Sequence, residues 1–145
     1  MSTYDPNHIP VKNYFLLGVK LVLLNQKGEI LLLERSAKSS SPHSWDFPGG
    51  GVDAGESFEE AVKRELKEET TLGLSNLRPI GSVRVLEGED EALIMGYCAT
   101  TNDTDITLSW EHESYRWVNL DEVNTLDLRD LHTQILEYYT NKKDS

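Results

Sequence analysis

The chain has 145 residues, the usual size of one domain, and is 38% apolar and 27% charged. This composition is typical of a protein that folds around a buried core, so we expect residues 1–145 to form a single domain. The 14 basic and 25 acidic residues give a net charge of −11, which argues against binding to a nucleic-acid polymer through its backbone. A small nucleotide is not excluded, because a bound divalent metal can reverse the local charge.

The sequence predicts a cytoplasmic protein with no membrane partner. Residues Met1 to Pro10 lack the apolar core of a secretory signal, and the run from Tyr14 to Leu24 is interrupted by Lys20 and is too short to span a bilayer. A single cysteine, Cys98, cannot form an internal disulfide and is expected to be an inert core residue. The apolar residues fit a monomer core or a dimer face equally well, so a homodimer stays open.

The first third of the chain reads as strands and loops. Two apolar runs, Phe15 to Leu24 and Ile30 to Leu33, flank a polar turn and predict a hairpin of strands covered on both faces by helices. Ser36 to Ser44 is a predicted surface loop. The cluster from Phe47 to Gly51 interrupts regular structure and predicts a close approach of the backbone to another group.

A helix follows, and further strands come after it. Ser57 and Glu60 have the spacing of a capping box, and Phe58 to Glu69 contains no helix breaker. Further strands are predicted at Ile80 to Leu86, Ala92 to Thr100, Ile106 to Leu108 and Tyr115 to Val118. A final helix presents Leu128, Leu131, Ile135 and Tyr139 on one face. This order predicts an α/β (α+β) fold with a mixed sheet between helices.

The first helix carries acidic residues where apolar ones are expected. One face holds, in order, Phe58, Ala61, Val62, Glu65, Glu69 and Leu72, with Glu68 at its margin. Like charges at these spacings repel, and anions near a helix C-terminus cost roughly 0.3–1 kcal/mol each. A partly buried cluster of this kind predicts a compensating cation, and its hard oxygen ligands suit Mg²⁺ or Mn²⁺. The alternative is a solvated acidic face that is paired with neighbouring basic residues of the helix.

From Gly50 onward the segment resembles the signature of the Nudix hydrolases, G-x5-E-x7-R-E-U-x-E-E-x-G-U, in which U is aliphatic. The matching positions, in a box over residues 50–72, are Gly50, Glu56, Arg64, Glu65, Leu66, Glu68, Glu69 and Leu72. Thr71 stands where the family usually has the glycine that ends the helix in a left-handed turn, and we expect Gly73 to take over that role. The resemblance extends in outline to the whole chain and implies the family's α/β/α sandwich.

This resemblance implies a MutT-like pyrophosphohydrolase, which cleaves a nucleoside diphosphate derivative by attack of water on a phosphorus atom. Mg²⁺, for which Mn²⁺ can substitute, would offset the negative charge of the pyrophosphate. By similarity, Glu65 and Glu69 are the principal metal ligands and the Gly49 carbonyl is a backbone ligand. Glu68 is a further ligand or the group that activates water. Arg64 and Glu56 are expected to hold the loop and helix together.

Some members of the family take the general base from a later loop. Glu111 and Glu113 are the candidates here, with Glu89 and Glu91 behind them, although each also fits a solvated surface glutamate. Trp45 could stack on a nucleobase, but packing against the fold is the preferred interpretation. Gly49, Gly50 and Arg35 are predicted to contact substrate, with Lys38 as a further phosphate ligand. His43 and His112 could each contact phosphate, but solvated loop histidines are the preferred interpretation, and Trp110 is expected to be a sheet residue.

The preferred substrate is a nucleoside triphosphate, ordinary or oxidised, that is hydrolysed to the monophosphate and pyrophosphate. ADP-ribose and dinucleoside polyphosphates are the alternatives. Two non-enzymatic hypotheses are a domain that senses a nucleotide without cleaving it and an acidic interaction domain. The first would be expected to lose one or more of the glutamates, and the second leaves the acidic residues on the apolar face unexplained.

Overall fold

The computed structural model describes residues 4–11 and 13–143. Within these ranges the chain forms, in order, β1 (Leu16–Leu24), β2 (Ile30–Arg35), β3 (Trp45–Asp46), β4 (Gly49–Gly51), α1 (Phe58–Thr70), β5 (Ser75–Glu87), β6 (Asp90–Thr100), β7 (His112–Val118), α2 (Leu120–Val123) and α3 (Asp130–Lys143). The predicted alternation of strands and helices is confirmed, as is the mixed sheet. No helix in the described part of the chain is long and apolar enough to cross a membrane.

Strands β1 and β2 separate soon after the turn that joins them. The turn closes as predicted, with the Asn25 amide donating to the Glu29 carbonyl and Leu24 facing Ile30. Beyond that pair the first half of β1 is antiparallel to β4, while β2 pairs with β7 and β3. The other edge of β1 is parallel to β6 along its whole length, and β6 pairs with β5. The divergence of β1 and β2 opens a cleft at this end of the sheet.

The sheet is covered on both faces, as the continuous apolar runs of β1 and β2 predict. Residues that alternate along these strands belong to two separate core clusters. Leu21 and Leu33, for example, pack in the cluster that contains Val62 of α1, whereas Val22 lies in the cluster that contains Ile135 of α3. Cys98 is buried in the second of these clusters, as expected of a core residue.

The prediction of a strand at Ile106 to Leu108 was wrong. This segment is an extended loop whose amides cap α1 instead of pairing with a strand: Thr107 donates to the Thr70 carbonyl at 3.1 Å and Ser109 to the Glu69 carbonyl at 3.2 Å. Ile106 and Leu108 pack against the core cluster of α1, which explains the apolar alternation. The terminal carbonyls of a helix lack partners within the helix, so the loop supplies them.

Candidate active site

Helix α1 lies against the start of β1 and β4, and its first turn fixes its orientation. The Ser57 hydroxyl accepts a hydrogen bond from the Glu60 amide at 3.1 Å, as the capping-box spacing predicts. Ala61, Val62 and Leu66 are buried on the face toward the sheet. The same face continues toward the C-terminus of α1, where it places Glu69 in the interior beside the glycine-rich strand β4.

Glu69 is a buried carboxylate, 3% exposed, at the junction of α1 and β4. Its Oε1 accepts a hydrogen bond from the Gly49 amide at 2.8 Å. Burial raises the pKa of Glu69 to about 8, an effect that the nearby Lys20 ammonium and the Gly49 amide only partly oppose. The surroundings of Glu69 therefore carry too little positive charge to hold its ionised form easily.

Glu65 lies one turn earlier and rests directly on the backbone of Gly50. A Cβ atom at position 50 would lie 2.6 Å from Glu65 Oε1, so any other residue there would force this carboxylate to move. The Glu65 side chain is 14% exposed and receives an Arg64 Nη1 hydrogen bond at 3.1 Å. Burial raises the pKa of Glu65, and Arg64 only partly offsets this effect. Glycine at position 50 of the box is thus explained by contact with a glutamate of the same box.

Arg64 ties the loop before α1 to the helix. Its guanidinium donates to both carboxylate oxygens of Glu56, at 2.7 and 2.9 Å, and to the Gly51 carbonyl at 2.9 Å. The two hydrogen bonds to Glu56, together with one from the Asp53 amide, lower the pKa of Glu56 to about 2. Glu68, in contrast, is 58% exposed on its side chain, and among the described residues its one hydrogen-bonded partner is the Arg64 Nη1, at 3.2 Å. Glu68 is available from the solvent side.

Sequence reasoning missed a buried group of charges centred on Asp46 of β3. Asp46 is 2% exposed and accepts hydrogen bonds from Arg35 at 2.9 Å and from Arg129 at 3.1 Å. His132 Nε2 lies 2.9 Å from the same carboxylate. Burial alone would raise the pKa of Asp46, but the Lys20 ammonium and the contacts of His112 and His132 hold it well below its usual range.

Lys20 and His132 also hold the backbone that leads into β4. Lys20 Nζ donates to the Phe47 carbonyl at 3.3 Å and lies 3.5 Å from the Gly49 carbonyl oxygen. His132 Nδ1 accepts from the Phe47 amide at 3.3 Å. Burial lowers the pKa of His132 to about 4, with the contact to Asp46 opposing it, so the ring is neutral near pH 7. Because Nδ1 accepts a hydrogen bond, the hydrogen of the neutral His132 ring is on Nε2, the nitrogen that lies beside Asp46.

The prediction of a solvated His112 was wrong. His112 begins β7 and is 7% exposed, with Nε2 at 3.6 Å from Asp46 Oδ2 and Nδ1 at 3.9 Å from Glu69 Oε2. The neighbouring residues Glu111 and Glu113 suggest a polar loop, but the alternation of β7 turns the side chain of position 112 inward. His112 therefore lies between the two buried carboxylates of the site.

The structure separates the two candidate general bases. Glu111 lines the cleft together with Glu69 and Gly49, and its charge contributes to the raised pKa values of Glu65 and Glu69. Glu113 instead accepts a hydrogen bond from the Ala37 amide at 2.9 Å and lies beside His43. Of the more remote candidates, Glu91 is paired with Arg84 at 2.6 Å and Glu89 lies in the β5–β6 turn.

Trp45 lies where the packing interpretation places it, whereas Trp110 does not lie in the sheet. Trp45 packs beside the core cluster of α3 with the Arg116 guanidinium 5.9 Å from its ring centre, which agrees with the packing interpretation. Trp110, expected in the sheet, lies in the turn before β7, is 79% exposed and lines the cleft beside Glu111. Arg35 and Lys38 line the same cleft, as a role in phosphate binding requires.

The expectation that Gly73 would end the helix was also wrong. Thr71 itself takes the left-handed conformation, with φ 68° and ψ 2°, and its amide donates to the Lys67 carbonyl. The amide of Gly73 donates instead to Asp103 Oδ2 at 2.8 Å. The box therefore keeps its usual geometry at position 71, although a β-branched residue is strained there.

The donor set of α1 and β4 fits hard divalent cations. It consists of carboxylate oxygens and the Gly49 carbonyl, and the buried Glu69 is short of positive charge. Among the described residues, only Glu34, His43 and Glu113 place three ligand atoms within 4.8 Å of one another. Glu65, Glu68 and Glu69 are thus spread along the helix rather than gathered around one point.

Comparison with known proteins agrees with this geometry. The model of the NUDIX domain family matches residues 15–139. The chain is 31% identical over 121 residues to the nucleoside triphosphatase NudI of Enterobacter sp. (strain 638), covering 75% of this chain and 85% of that protein. It is 30% identical over 129 residues to the RNA pyrophosphohydrolase of Rhodospirillum rubrum, covering 75% of each. The MutT protein structure from Methanosarcina mazei Go1 superimposes with a TM-score of 0.80 at 29% identity, over 94% of this chain and 100% of that one.

The fold and the carboxylate-bearing helix define a Nudix-type hydrolase. The chain belongs to the NUDIX family, as the family match over residues 15–139 shows. The predicted family, fold and enzyme class are therefore confirmed. The protein is therefore a pyrophosphohydrolase. Members of its family generally use a divalent metal and act on small nucleotide substrates.

Proposed function

We propose that this protein is a Mg²⁺-dependent hydrolase that converts a nucleoside triphosphate, ordinary or oxidised, into the monophosphate and pyrophosphate. A water oxygen forms a bond to phosphorus, and the bond from that phosphorus to the bridging oxygen breaks. The water proton passes to a carboxylate of the enzyme, and pyrophosphate leaves. The printed name of the relative NudI, a nucleoside triphosphatase, supports this substrate class.

The observation that carries the proposal is the buried carboxylate of Glu69 beside the glycine-rich strand. Glu65 and Glu69 would be the principal ligands of the metal, joined by the Gly49 carbonyl and, from the solvent side, by Glu68. Bound metal would supply the positive charge that these groups lack and would neutralise charge on the pyrophosphate. Lys20, which lies 3.5 Å from the Gly49 carbonyl oxygen, orients that ligand.

We assign the general base to Glu111. The alternative later-loop candidate, Glu113, is held by the Ala37 amide and by His43, whereas Glu111 shares the cleft with Glu69. The turn that carries Glu111 is anchored to α1 through the hydrogen bond from the Ser109 amide to the Glu69 carbonyl. This connection holds the turn that carries the base close to the helix that supplies the ligands.

The remaining walls of the cleft suit the other parts of a nucleotide. Arg35 and Lys38 present positive charge to the phosphates, and the Asp46 carboxylate fixes the Arg35 guanidinium. Trp110 offers an exposed aromatic face for the nucleobase, the role first considered for Trp45. Glycines 49 and 50 allow close approach of the substrate to the backbone of β4.

A second candidate substrate is the triphosphate at the 5′ end of an RNA. Its support is the 30% identity to a relative named RNA pyrophosphohydrolase. The net charge of −11 favours the free nucleotide, because a long polymer would be repelled outside the cleft. The single-domain organisation, the cytoplasmic location and the homodimer stay predictions.

The deciding experiment is a product assay with a panel of substrates in Mg²⁺, in Mn²⁺ and with chelator. The panel contains nucleoside triphosphates including 8-oxo-dGTP, ADP-ribose, diadenosine polyphosphates and a short 5′-triphosphorylated RNA. Metal-dependent release of a monophosphate and pyrophosphate from a free triphosphate supports the proposal. Preference for ADP-ribose or a dinucleoside polyphosphate would replace the substrate but keep the chemistry, and preference for the RNA would favour the second candidate.

Binding without turnover across the panel would contradict the proposal and favour a nucleotide-sensing domain. The control protein is Glu59→Gln, which changes an exposed glutamate on the first turn of the same helix. Its activity should equal that of the unaltered protein. A loss of activity in this control would show that substitution on α1 lowers turnover without altering a proposed ligand.

A further inference from the structure

Three potential metal ligands converge at a place outside the site described above. They come from β2, from the loop over residues 36–44 and from β7. His43 Nδ1 lies 3.3 Å from Glu34 Oε2 and 3.3 Å from Glu113 Oε2, and the three ligand atoms all lie within 4.8 Å of one another. None of these three residues belongs to α1 or β4.

The protein fixes the orientation of both carboxylates through their other oxygens. Glu34 Oε1 accepts a hydrogen bond from the Ser114 hydroxyl at 2.7 Å, and Glu113 Oε1 accepts from the Ala37 amide at 2.9 Å. In each glutamate the other carboxylate oxygen, Oε2, lies 3.3 Å from His43 Nδ1. Such hydrogen bonds to the non-ligating atoms of a ligand are the usual way in which a protein positions it.

One hydrogen bond from His43 Nδ1 does not satisfy both carboxylates. An imidazole Nδ1 carries at most one hydrogen, so it can donate to only one of the two carboxylates at a time. Two carboxylates held against the same atom also repel each other. A cation with ligand bonds of about 2.0–2.1 Å would place tetrahedral ligand atoms about 3.3 Å apart, which is the separation found on both sides of His43 Nδ1.

We propose that Glu34, His43 and Glu113 bind one divalent transition-metal ion of the zinc type, independently of the ions of α1. An imidazole nitrogen with two carboxylates suits zinc and its neighbours better than Mg²⁺, which prefers oxygen ligands only. The side chains are 25%, 57% and 41% exposed, so water completes the coordination. This inference does not depend on which nucleotide the enzyme hydrolyses.

The location gives such an ion a structural consequence. Ser36, Lys38 and Ser39 of the 36–44 loop line the cleft, and the Ser36 amide donates to the Glu111 carbonyl at 3.0 Å. An ion bound to His43 would join the C-terminal end of this loop to Glu34 of β2 and Glu113 of β7. The ion would therefore hold one wall of the substrate cleft in place.

The test is a calorimetric titration with Zn²⁺ in excess Mg²⁺, using a protein whose α1 ligands are neutralised by Glu65→Gln and Glu69→Gln. We expect one equivalent of Zn²⁺ to bind. In this background, His43→Ala and, separately, Glu113→Gln should weaken binding at least tenfold. The matched control is His8→Ala, which removes an exposed histidine near the N-terminus and should leave binding unchanged.

A second measurement uses the otherwise unaltered protein and reports on the loop. Trypsin cleavage after the exposed Lys38 should slow on addition of Zn²⁺ in the protein and in His8→Ala, but not in His43→Ala. Equal Zn²⁺ binding by the His43→Ala and His8→Ala proteins would overturn the proposal. So would complete loss of Zn²⁺ binding in the Glu65→Gln, Glu69→Gln protein while it remains folded.

Discussion

The amide of Gly49 donates a 2.8 Å hydrogen bond to Oε1 of Glu69, which joins the glycine-rich strand to the last turn of α1. Through this bond, the proposed backbone ligand and a proposed carboxylate ligand belong to one rigid unit. The bond also uses only one oxygen of Glu69, so the other remains available.

Replacing Glu69 by Gln should lower kcat by roughly 10²-fold or more, because a neutral amide binds a divalent ion poorly. The amide oxygen keeps an acceptor for the Gly49 amide, so the fold should survive. Steady-state kinetics with a saturating triphosphate and Mg²⁺ provide the measurement. Activity that is unchanged in this variant would remove Glu69 from the proposed ligand set.

The stability of the metal-free protein should fall as the pH rises toward the raised pKa of Glu69. Folding raises the pKa of this carboxyl from 4.5 to about 8, so its contribution is fully present below about pH 4.5 and is lost through pH 8. His132, with its pKa lowered to about 4, changes stability in the opposite direction between pH 4 and 6.5. Above pH 6.5 His132 no longer contributes, and comparison with a Glu69→Gln variant separates Glu69 from Glu65, whose pKa is also raised.

Urea denaturation in the presence of chelator checks this dependence. At high pH the Glu69→Gln protein should be more stable than the unaltered protein by on the order of 2 kcal/mol. The difference should shrink as the pH falls from about 8 toward 6.5. A difference that does not vary with pH would mean that Glu69 is not the group that titrates.

Gly50→Ala should reduce activity at least tenfold, because the new Cβ would lie 2.6 Å from Glu65 Oε1 and displace that carboxylate. Gly51→Ala is the matched control. At position 51 the nearest atom to a new Cβ is the Leu17 carbonyl oxygen at 4.0 Å, and activity should be retained. Equal effects of the two substitutions would indicate that β4 tolerates no side chain for reasons unrelated to Glu65.

The assignment of the general base can be tested with Glu111→Gln and Glu113→Gln. Loss of a general base lowers turnover by roughly 10²–10⁴-fold, and we expect that loss at Glu111. A larger loss of kcat at Glu113 than at Glu111 would reverse the assignment.

Thr71→Gly should stabilise the protein by about 0.5–1 kcal/mol, since it removes a β-branched residue from a left-handed conformation. Part of the gain is offset by the flexibility of glycine in the unfolded chain and by the lost hydroxyl contact with the Asp105 carbonyl. Thermal unfolding is the measurement, and Thr71→Ala, which keeps Cβ, should bring no gain. A lower midpoint for Thr71→Gly would show that the hydroxyl matters more than the strain.

The sequence predicted the parts of the site that depend on local spacing. Glu65 and Glu69 share a helix face with apolar residues, and a period of 3.6 residues is enough to place them together. Asp46 and His132 are 86 positions apart, and only the packing of α3 against the sheet brings them to 2.9 Å. The register of β1 with β4, which sets Lys20 beside Gly49, likewise has no local signature.

The loop misread as a strand at Ile106 to Leu108 limits where the chain can be lengthened. The Ser109 amide is hydrogen-bonded to the Glu69 carbonyl. The two residues from Ser109 to Glu111 therefore set the spacing between α1 and the proposed base. One residue inserted there would shift Glu111 by up to about 3.8 Å, the distance between neighbouring Cα atoms, and uncouple the two halves of the active site. A longer segment grafted among the exposed residues 102–105 would leave this spacing intact and could enlarge the enzyme around the same chemistry.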